Sequence, residues 1–134
     1  MVAVKKTATG KQAIPKRKIW APDRQDIIWI DCNPQAGREM KDPHPMLVLS
    51  PKAFNERTSI VIGLPMTTSD SNESNPFAVK VSGPRGVASY VLCHQPKSFD
   101  WRARGAKQHP WKQASEQVFR DACRILDQIV ALQA

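Results

Sequence analysis

Short runs of apolar residues, separated by polar turns, occupy most of the chain and have the lengths typical of β-strands. Residues 26–31 form the most apolar run, and we expect a strand of this composition to be buried on both faces. Further runs end at proline, glycine or clusters of polar residues, and they lie at 46–50, 59–65, 77–81 and 87–93. Short strands at this spacing predict a small antiparallel barrel or sandwich.

The hydrophobic period changes near the end of the chain. Ser115 is a residue type that often caps helix N-termini, and apolar residues recur at helical spacing after it. These apolar positions are Val118, Phe119, Ala122, Cys123, Ile125, Leu126, Ile129, Val130 and Leu132. The pattern predicts an amphipathic C-terminal helix packed on the strands, and hence an α+β fold that is mainly β.

The beginning of the chain differs in composition from the rest. Residues 1–22 contain six lysine or arginine residues and no acidic residue, which predicts a flexible basic arm followed by one folded domain over 23–134. Such an arm would add nonspecific affinity for nucleic acid. An upstream start codon, or an extension added for expression, accounts for the same composition equally well.

The net charge of the chain indicates which class of partner it favours. The 134 residues carry a formal net charge of +8 at pH 7, and the isoelectric point is about 9.8. This excess of cations favours a polyanionic partner, with nucleic acid as the first candidate and an acidic protein or a merely solvated surface as alternatives. No apolar run approaches the roughly 18 residues of a membrane span, and no signal-peptide core is present, so we expect no membrane contact.

Three widely spaced cysteines, Cys32, Cys93 and Cys123, include no Cys-x-x-Cys pair. Their number and spacing predict neither a disulfide framework nor a zinc site. A reducing cytoplasm is therefore the expected compartment.

A polar loop rich in ionisable residues runs into the strand predicted at 46–50. His44 lies in this loop between Pro43 and Pro45, which restrict the backbone on either side of it. Loops held by a rigid scaffold often carry catalytic groups, and an imidazole, with an unperturbed pKa of roughly 6.5, serves as acid or base near neutral pH. His44 is therefore a candidate proton carrier.

An ordered set of short motifs resembles the MazF/PemK/Kid toxins of type II toxin–antitoxin systems. The motifs lie at 26–31, 33–34, 37–39, 45–51, 54–55, 65–68 and 95–104. The resemblance implies a small SH3-like antiparallel barrel of the CcdB/MazF type with a C-terminal helix. It also implies a cytoplasmic bacterial homodimer that cleaves single-stranded RNA, such as mRNA, without a metal or other cofactor. A small antitoxin of the MazE/PemI type would neutralise it.

The implied chemistry uses the 2′-hydroxyl of the RNA as nucleophile and leaves a 2′,3′-cyclic phosphate and a 5′-hydroxyl. The protein must then move protons and stabilise charge on the phosphoryl oxygens. Family members commonly carry Arg at the position of His44 and Asp at the position of His94, so the chain departs from the family at both. We expect the two histidines to act as an acid/base pair. The alternative is that both are ordinary loop histidines and the family site has decayed or shifted.

The resemblance assigns further residues to the site. Arg38 would neutralise the scissile phosphate, Glu39 would orient it or contact a base, and Thr67 would hydrogen-bond the phosphate. PemK-like relatives place His at the position of Arg38 and Arg at that of Leu92, and an exchange of Arg and His across one pocket would preserve a cation and a proton carrier.

Residues expected to bind RNA combine positive charge with aromatic or amide groups suited to bases. They are Phe77, Gln95, Lys97, Arg102 and Arg104. Trp101 is either a stacking platform or, more in keeping with its type, a core residue. His109 and Trp111 lie outside the matching motifs and receive no role.

A second class of function stays open at this point. The CcdB toxins resemble this fold and act by binding a topoisomerase, and the loss of the usual Arg and Asp is compatible with a catalytically inactive toxin or binding module. Incubation of the protein with a long RNA in EDTA would separate the two classes.

Overall fold

The computed structural model of the chain describes residues 19–33 and 43–132. Its strands are β1 (Asp26–Asp31), β2 (Pro43–Val48), β3 (Ile60–Thr67), β4 (Ala78–Ser82), β5 (Ala88–Leu92), β6 (Lys97–Asp100) and β7 (Lys107–Gln113). Its helices are α1 (Lys52–Thr58) and α2 (Glu116–Val130), with short 3₁₀ turns at Asp70–Ser74 and Pro84–Gly86.

In the described residues the strands form one antiparallel sheet in the order β4-β5-β3-β2-β1-β7, and β6 also pairs with β3. Strand β3 changes partner along its length, because residues 60–63 pair with β6 whereas Met66 and Thr67 pair with β5. The first and last strands of this sheet, β4 and β7, also approach each other. A Cβ built on Gly83, just after β4, would lie 2.1 Å from the Trp111 ring on β7, so the residue there must be glycine.

This curled sheet is a half-barrel, and with its C-terminal helix it confirms the predicted fold class. Strand β1 and residues 46–48 of β2 are buried on both faces, as the composition of residues 26–31 indicated for β1. Ile27 and Leu47 belong to a core between the sheet and α2, while Ile28 and Met46 belong to a second core on the opposite face. Alternate residues of each strand thus enter different cores.

The C-terminal helix begins as predicted. The Ser115 hydroxyl accepts a hydrogen bond from the Val118 amide at 3.2 Å, and Phe119 and Ala122 are buried in the first core. The predicted apolar stripe was wrong at its end, because Ala131 adopts a left-handed conformation that stops the helix. Leu132 lies beyond that stop and is 81% exposed.

Elements that the apolar pattern did not predict are α1, β6 and β7. Strand β7 has the sequence Lys-Gln-His-Pro-Trp-Lys-Gln, which shows no apolar alternation, and it is held by its pairing with β1. Helix α1 is anchored by Asn55, which is fully buried and donates to the carbonyls of Pro22 at 2.8 Å and Ser50 at 3.0 Å. Tertiary hydrogen bonds therefore define these elements.

The segment predicted as an arm divides into two parts. Residues 1–18 lie outside the described residues, whereas residues 20–22 pack on the fold. The Trp20 ring meets the Trp101 ring edge-on with centroids 6.0 Å apart, and Ala21 is buried in the second core. Trp101 is itself a core residue, and its indole N–H donates to the Asn55 carbonyl at 2.8 Å. These apolar residues favour burial on the domain over solvent.

Candidate active site

A cavity of about 340 Å³ opens where the beginning of β2 meets the end of β3, and His44, Thr67 and His109 line it. The β2–β3 register pairs Met46 with Pro65, and beyond the end of this pairing His44 and Thr67 both line the cavity. The remaining lining residues are Trp29, Pro45, Met66, Thr68, Val87, Ser89 and Trp111. Sheet geometry thus brings together two of the residues that the sequence predicted as catalytic.

His44 is the most exposed imidazole of this cavity. It lies at the outer end of β2, opposite Ile30 of β1, with Pro43 and Pro45 on either side. The backbone is therefore fixed while the side chain stays open to solvent. Such a group can meet a phosphate without leaving the strand.

The Thr67 hydroxyl is set to donate a hydrogen bond. Its oxygen accepts from the Ser69 amide at 3.2 Å, and the Ser89 hydroxyl donates to the Thr67 carbonyl at 3.2 Å. Among the described residues no acceptor takes the hydroxyl proton of Thr67. A hydroxyl has one proton and two lone pairs, so this proton is available to an oxygen atom of a bound ligand.

His109 lines this cavity although it lies outside the sequence motifs and was predicted to have no role. It is only 8% exposed, and its Nδ1 accepts a hydrogen bond from the Trp111 amide at 3.0 Å. Its ring lies 4.6 Å from that of Trp29 and 5.1 Å from that of Trp111, centroid to centroid. Burial lowers the pKa of His109 below its usual value. Residues two apart in a strand share a face, so the pair His109 and Trp111 was the available signal.

His94 lies elsewhere in the molecule. It follows β5, is exposed, and its ring lies 5.7 Å from that of Phe77, while the Gln95 amide is 3.3 Å from its Nε2. In the sheet, β3 separates β5 from β2, and His94 is not among the described residues that line the His44 cavity. Within one chain, therefore, the two predicted acid/base histidines do not line the same cavity. His94 instead lies beside Phe77 and Gln95, which were both predicted to bind RNA.

A second cavity, of about 540 Å³, adjoins the first at Trp29, which lines both. Arg102, Arg104 and Lys107 give it positive charge, opposed by Asp31. The sequence motifs include both arginines, whereas Lys107 lies outside them. Lys97 is exposed on β6 and does not line this cavity.

Both arginines also have partners in the fold. Arg104 lies over the Phe99 ring at 4.5 Å and donates to the Asp31 carbonyl at 3.0 Å, which fixes the end of β1. Arg102 lies over the Trp101 ring at 4.3 Å and donates to the Ser59 hydroxyl. Their charges therefore border the second cavity at fixed positions.

Two predicted residues, Arg38 and Glu39, lie outside the described residues. Within the part of the chain that the structure does describe, no group of three or more His, Cys, Asp or Glu side chains is arranged to hold a metal ion.

Comparison with known proteins places this geometry in a family context. The model of the PemK-like, MazF-like toxin of type II toxin–antitoxin systems matches residues 23–130. The endoribonuclease toxin MazF of Escherichia coli K12 is 42% identical over 89 residues, or 65% of this chain and 76% of that protein. The endoribonuclease PemK of Escherichia coli is 33% identical over 88 residues, or 63% of this chain and 65% of that protein.

Solved structures give the same result at the level of the fold. The crystal structure of MazF from Deinococcus radiodurans superposes with a TM-score of 0.72 at 32% identity, covering 85% of this chain and all of that one. A MazE–MazF complex from the same organism gives a TM-score of 0.72 at 28% identity, covering 86% of this chain and all of the matched one.

Proposed function

The chain belongs to the PemK-like, MazF-like toxins of type II toxin–antitoxin systems, and we propose that it is an endoribonuclease that cleaves single-stranded RNA at the cavity lined by His44 and Thr67. The observation that carries this proposal is that these two side chains, one from β2 and one from β3, line the same cavity. A proton carrier and a hydroxyl donor within reach of one phosphate are what metal-independent cleavage needs.

In the proposed reaction, the 2′-oxygen forms a bond to phosphorus while the bond from phosphorus to the 5′-oxygen breaks. The 2′-hydroxyl loses a proton, the 5′-oxygen gains one, and the products are a 2′,3′-cyclic phosphate and a 5′-hydroxyl. His44 carries out one of these transfers, and the Thr67 hydroxyl donates to a non-bridging oxygen as negative charge develops there. Arg38 remains the predicted residue for charge neutralisation. Because His94 does not line the His44 cavity, we assign the second transfer to Glu39, which was expected from the sequence to orient the phosphate or to contact a base.

The RNA path extends from this cavity to the basic one beside it. Trp29 borders both, and Arg102, Arg104 and Lys107 supply positive charge for the backbone phosphates. We assign His94, with Phe77 and Gln95, to contact with RNA outside the cleavage cavity, because an exposed aromatic ring beside an imidazole and an amide suits an unstacked base. We assign Lys97 on β6 to contact with RNA outside the cleavage cavity as well.

The relatives reported above are named endoribonucleases, so a nuclease is favoured over a CcdB-like binding module. We further propose a bacterial cytoplasmic location, in keeping with three cysteines that are free thiols in this structure. Within the described residues, no helix has the length and apolar character needed to cross a bilayer.

Cleavage is expected to continue in excess EDTA, because the proposed proton transfers and the Thr67 contact require no divalent ion. The measurement is the cleavage of a long single-stranded RNA with EDTA or with added Mg²⁺, followed by mapping of the ends. Cyclic phosphate and 5′-hydroxyl ends are expected in both. His44→Ala protein, purified in parallel, controls for contaminating ribonuclease. Loss of activity in EDTA that a divalent ion restores would contradict this mechanism.

We also propose that the chain forms a homodimer and binds a MazE/PemI-like antitoxin, as the Deinococcus radiodurans MazF does with MazE. Phe54 on α1 and Ile62 on β3, two elements in contact, are each 38% exposed, and exposed large apolar side chains on neighbouring elements indicate an interface.

Light scattering is therefore expected to give about twice the chain mass of 15.0 kDa. Ile62→Asp is expected to shift the protein towards the monomer, because it places a charge in the buried interface. Ile129→Asp is the matched control, since Ile129 is similarly exposed but lies on α2. A wild-type monomer at micromolar concentration that still cleaves RNA would exclude the dimer as the active form.

A further inference from the structure

His109 lines the cavity where RNA is proposed to be cleaved, and one of its ring nitrogens has no partner among the described residues. His109 is 8% exposed, and its Nδ1 accepts the hydrogen bond from the Trp111 amide. Among the described residues no side chain or carbonyl accepts from Nε2. Buried polar groups normally have a hydrogen-bond partner, so an unpartnered nitrogen at a cavity wall indicates that a ligand supplies it.

The hydrogen bond to Trp111 fixes the tautomer of His109. A backbone amide can only donate, so Nδ1 must carry the lone pair and the proton of the neutral ring must be on Nε2. A second proton, on Nδ1, would point the N–H group of His109 at the N–H group of Trp111. It would also place a positive charge in a buried site. Burial accordingly lowers the pKa of His109. The ring therefore offers a neutral N–H donor to the cavity.

The surroundings of this donor suit a base better than a phosphate. The Trp29 ring covers His109 at an interplanar angle of 36°, and Trp111 meets it at 70°. Two indoles and a neutral N–H line this part of the cavity, and none of the cavity's described lining residues is Lys, Arg, Asp or Glu. A planar, uncharged group with a hydrogen-bond acceptor on its edge fits such a site.

We propose that His109, held between Trp29 and Trp111, binds one nucleobase next to the scissile phosphate and sets which base is accepted there. The Nε2–H group donates to the oxygen at C4 of uracil or at C6 of guanine, so the site favours these two bases. It disfavours cytosine or adenine, whose edge presents an amino group there. This inference rests on the proposed ribonuclease function and extends it to the choice of cleavage sequence.

The test compares cleavage patterns on a pool of random-sequence RNA, read by sequencing the new 5′-hydroxyl ends. Wild-type protein is expected to prefer an oxo base at one position beside the cut. His109→Phe keeps a ring between the indoles but removes the donor, and it should abolish that preference. It should also lower kcat/KM on the preferred sequence by roughly tenfold, mainly through KM, with little effect on other sequences.

Gln108→Ala is the matched control, because Gln108 is the polar residue next to His109 on β7 and does not line the cavity. Its pattern should equal the wild-type pattern. A folded His109→Phe protein with an unchanged preference, or with the same rate loss on every sequence, would overturn the proposal. If wild-type protein cleaves no RNA, the proposed function itself fails, which is a distinguishable result.

A second measurement does not depend on how well His109→Phe folds. Nitrogen NMR of the wild-type ring should show the Nε2–H tautomer at neutral pH. The Nε2 resonance should shift when a non-cleavable 2′-O-methyl RNA of the preferred sequence binds, and shift less with the amino-base sequence. An Nδ1–H tautomer, or an Nε2 resonance indifferent to either RNA, would exclude the proposed contact.

Discussion

His44→Ala is expected to lower the rate of RNA cleavage by on the order of a hundredfold or more, the usual contribution of a general acid or base. The loss should appear in the single-turnover rate, since the side chain acts on the bonds that form and break. His44 is exposed at the end of β2, so its removal leaves no cavity in the core and the melting temperature should change little.

Two variants show what His44 contributes. His44→Arg restores the residue that the family commonly has, and it supplies a charge that does not titrate near neutral pH. If His44 transfers a proton, the cleavage rate of the arginine variant should depend on pH differently from the wild-type rate. His94→Ala should have a smaller effect, expressed in KM, because His94 lies across β3 from the cavity.

Several outcomes would change the roles assigned to His44 and His94. Near-wild-type cleavage by His44→Ala would remove His44 from the mechanism and leave Arg38 and Glu39 as the better candidates. A hundredfold loss in both His44→Ala and His94→Ala, with a double variant little worse than either, would show that the two histidines act as one unit. A wild-type rate with a bell-shaped pH dependence would support the same conclusion.

Thr67→Val is expected to lower the cleavage rate by on the order of a hundredfold, because it removes a hydrogen-bond donor aimed at charge that develops in the transition state. Valine keeps the β-branched shape that suits the end of β3. The variant also removes the bond that the Thr67 hydroxyl accepts from the Ser69 amide, so the turn after β3 loosens locally. The measurement is the single-turnover rate, with thermal unfolding measured in parallel.

Thr67→Ser and Thr68→Val are the controls for this prediction. Serine keeps the hydroxyl and should retain most of the activity. Thr68 lines the same cavity but is exposed beyond the end of β3, so its valine variant should cleave nearly as fast as wild type. Equal losses in Thr67→Val and Thr68→Val would indicate that a general change in the cavity, and not the Thr67 proton, caused the effect.

The elements with strong local patterns were predictable from the sequence. Residues 26–31 coincide with β1, and Ser115 caps α2 as expected, because a continuous apolar run and a helical spacing of apolar residues are clear local signals. Strand β7 gave no such signal, since its residues are mostly polar and its pairing with β1 holds it in place. The residues of the arm nearest the domain were also misjudged, because packing of Trp20 on Trp101 is a long-range contact.

The candidate site likewise combines features that the sequence predicted with features that long-range contacts decided. The sequence motifs named His44 and Thr67 separately, and the β2–β3 register brings them to one cavity. The motifs also paired His44 with His94, but the order of strands in the sheet sets β3 between them. His109 had no local signal beyond its spacing from Trp111, and its burial and its bond to the Trp111 amide arise only when β7 packs beside β1.

The sequence by itself thus determined the periodic elements, the family and the types of residue available for chemistry. Those properties depend on the identity and spacing of neighbouring residues. The tertiary structure alone decided which of these residues face one cavity, because that depends on strand register and sheet order between segments far apart in the chain. A shift of one residue in register would have sent each side chain to the opposite face of the sheet.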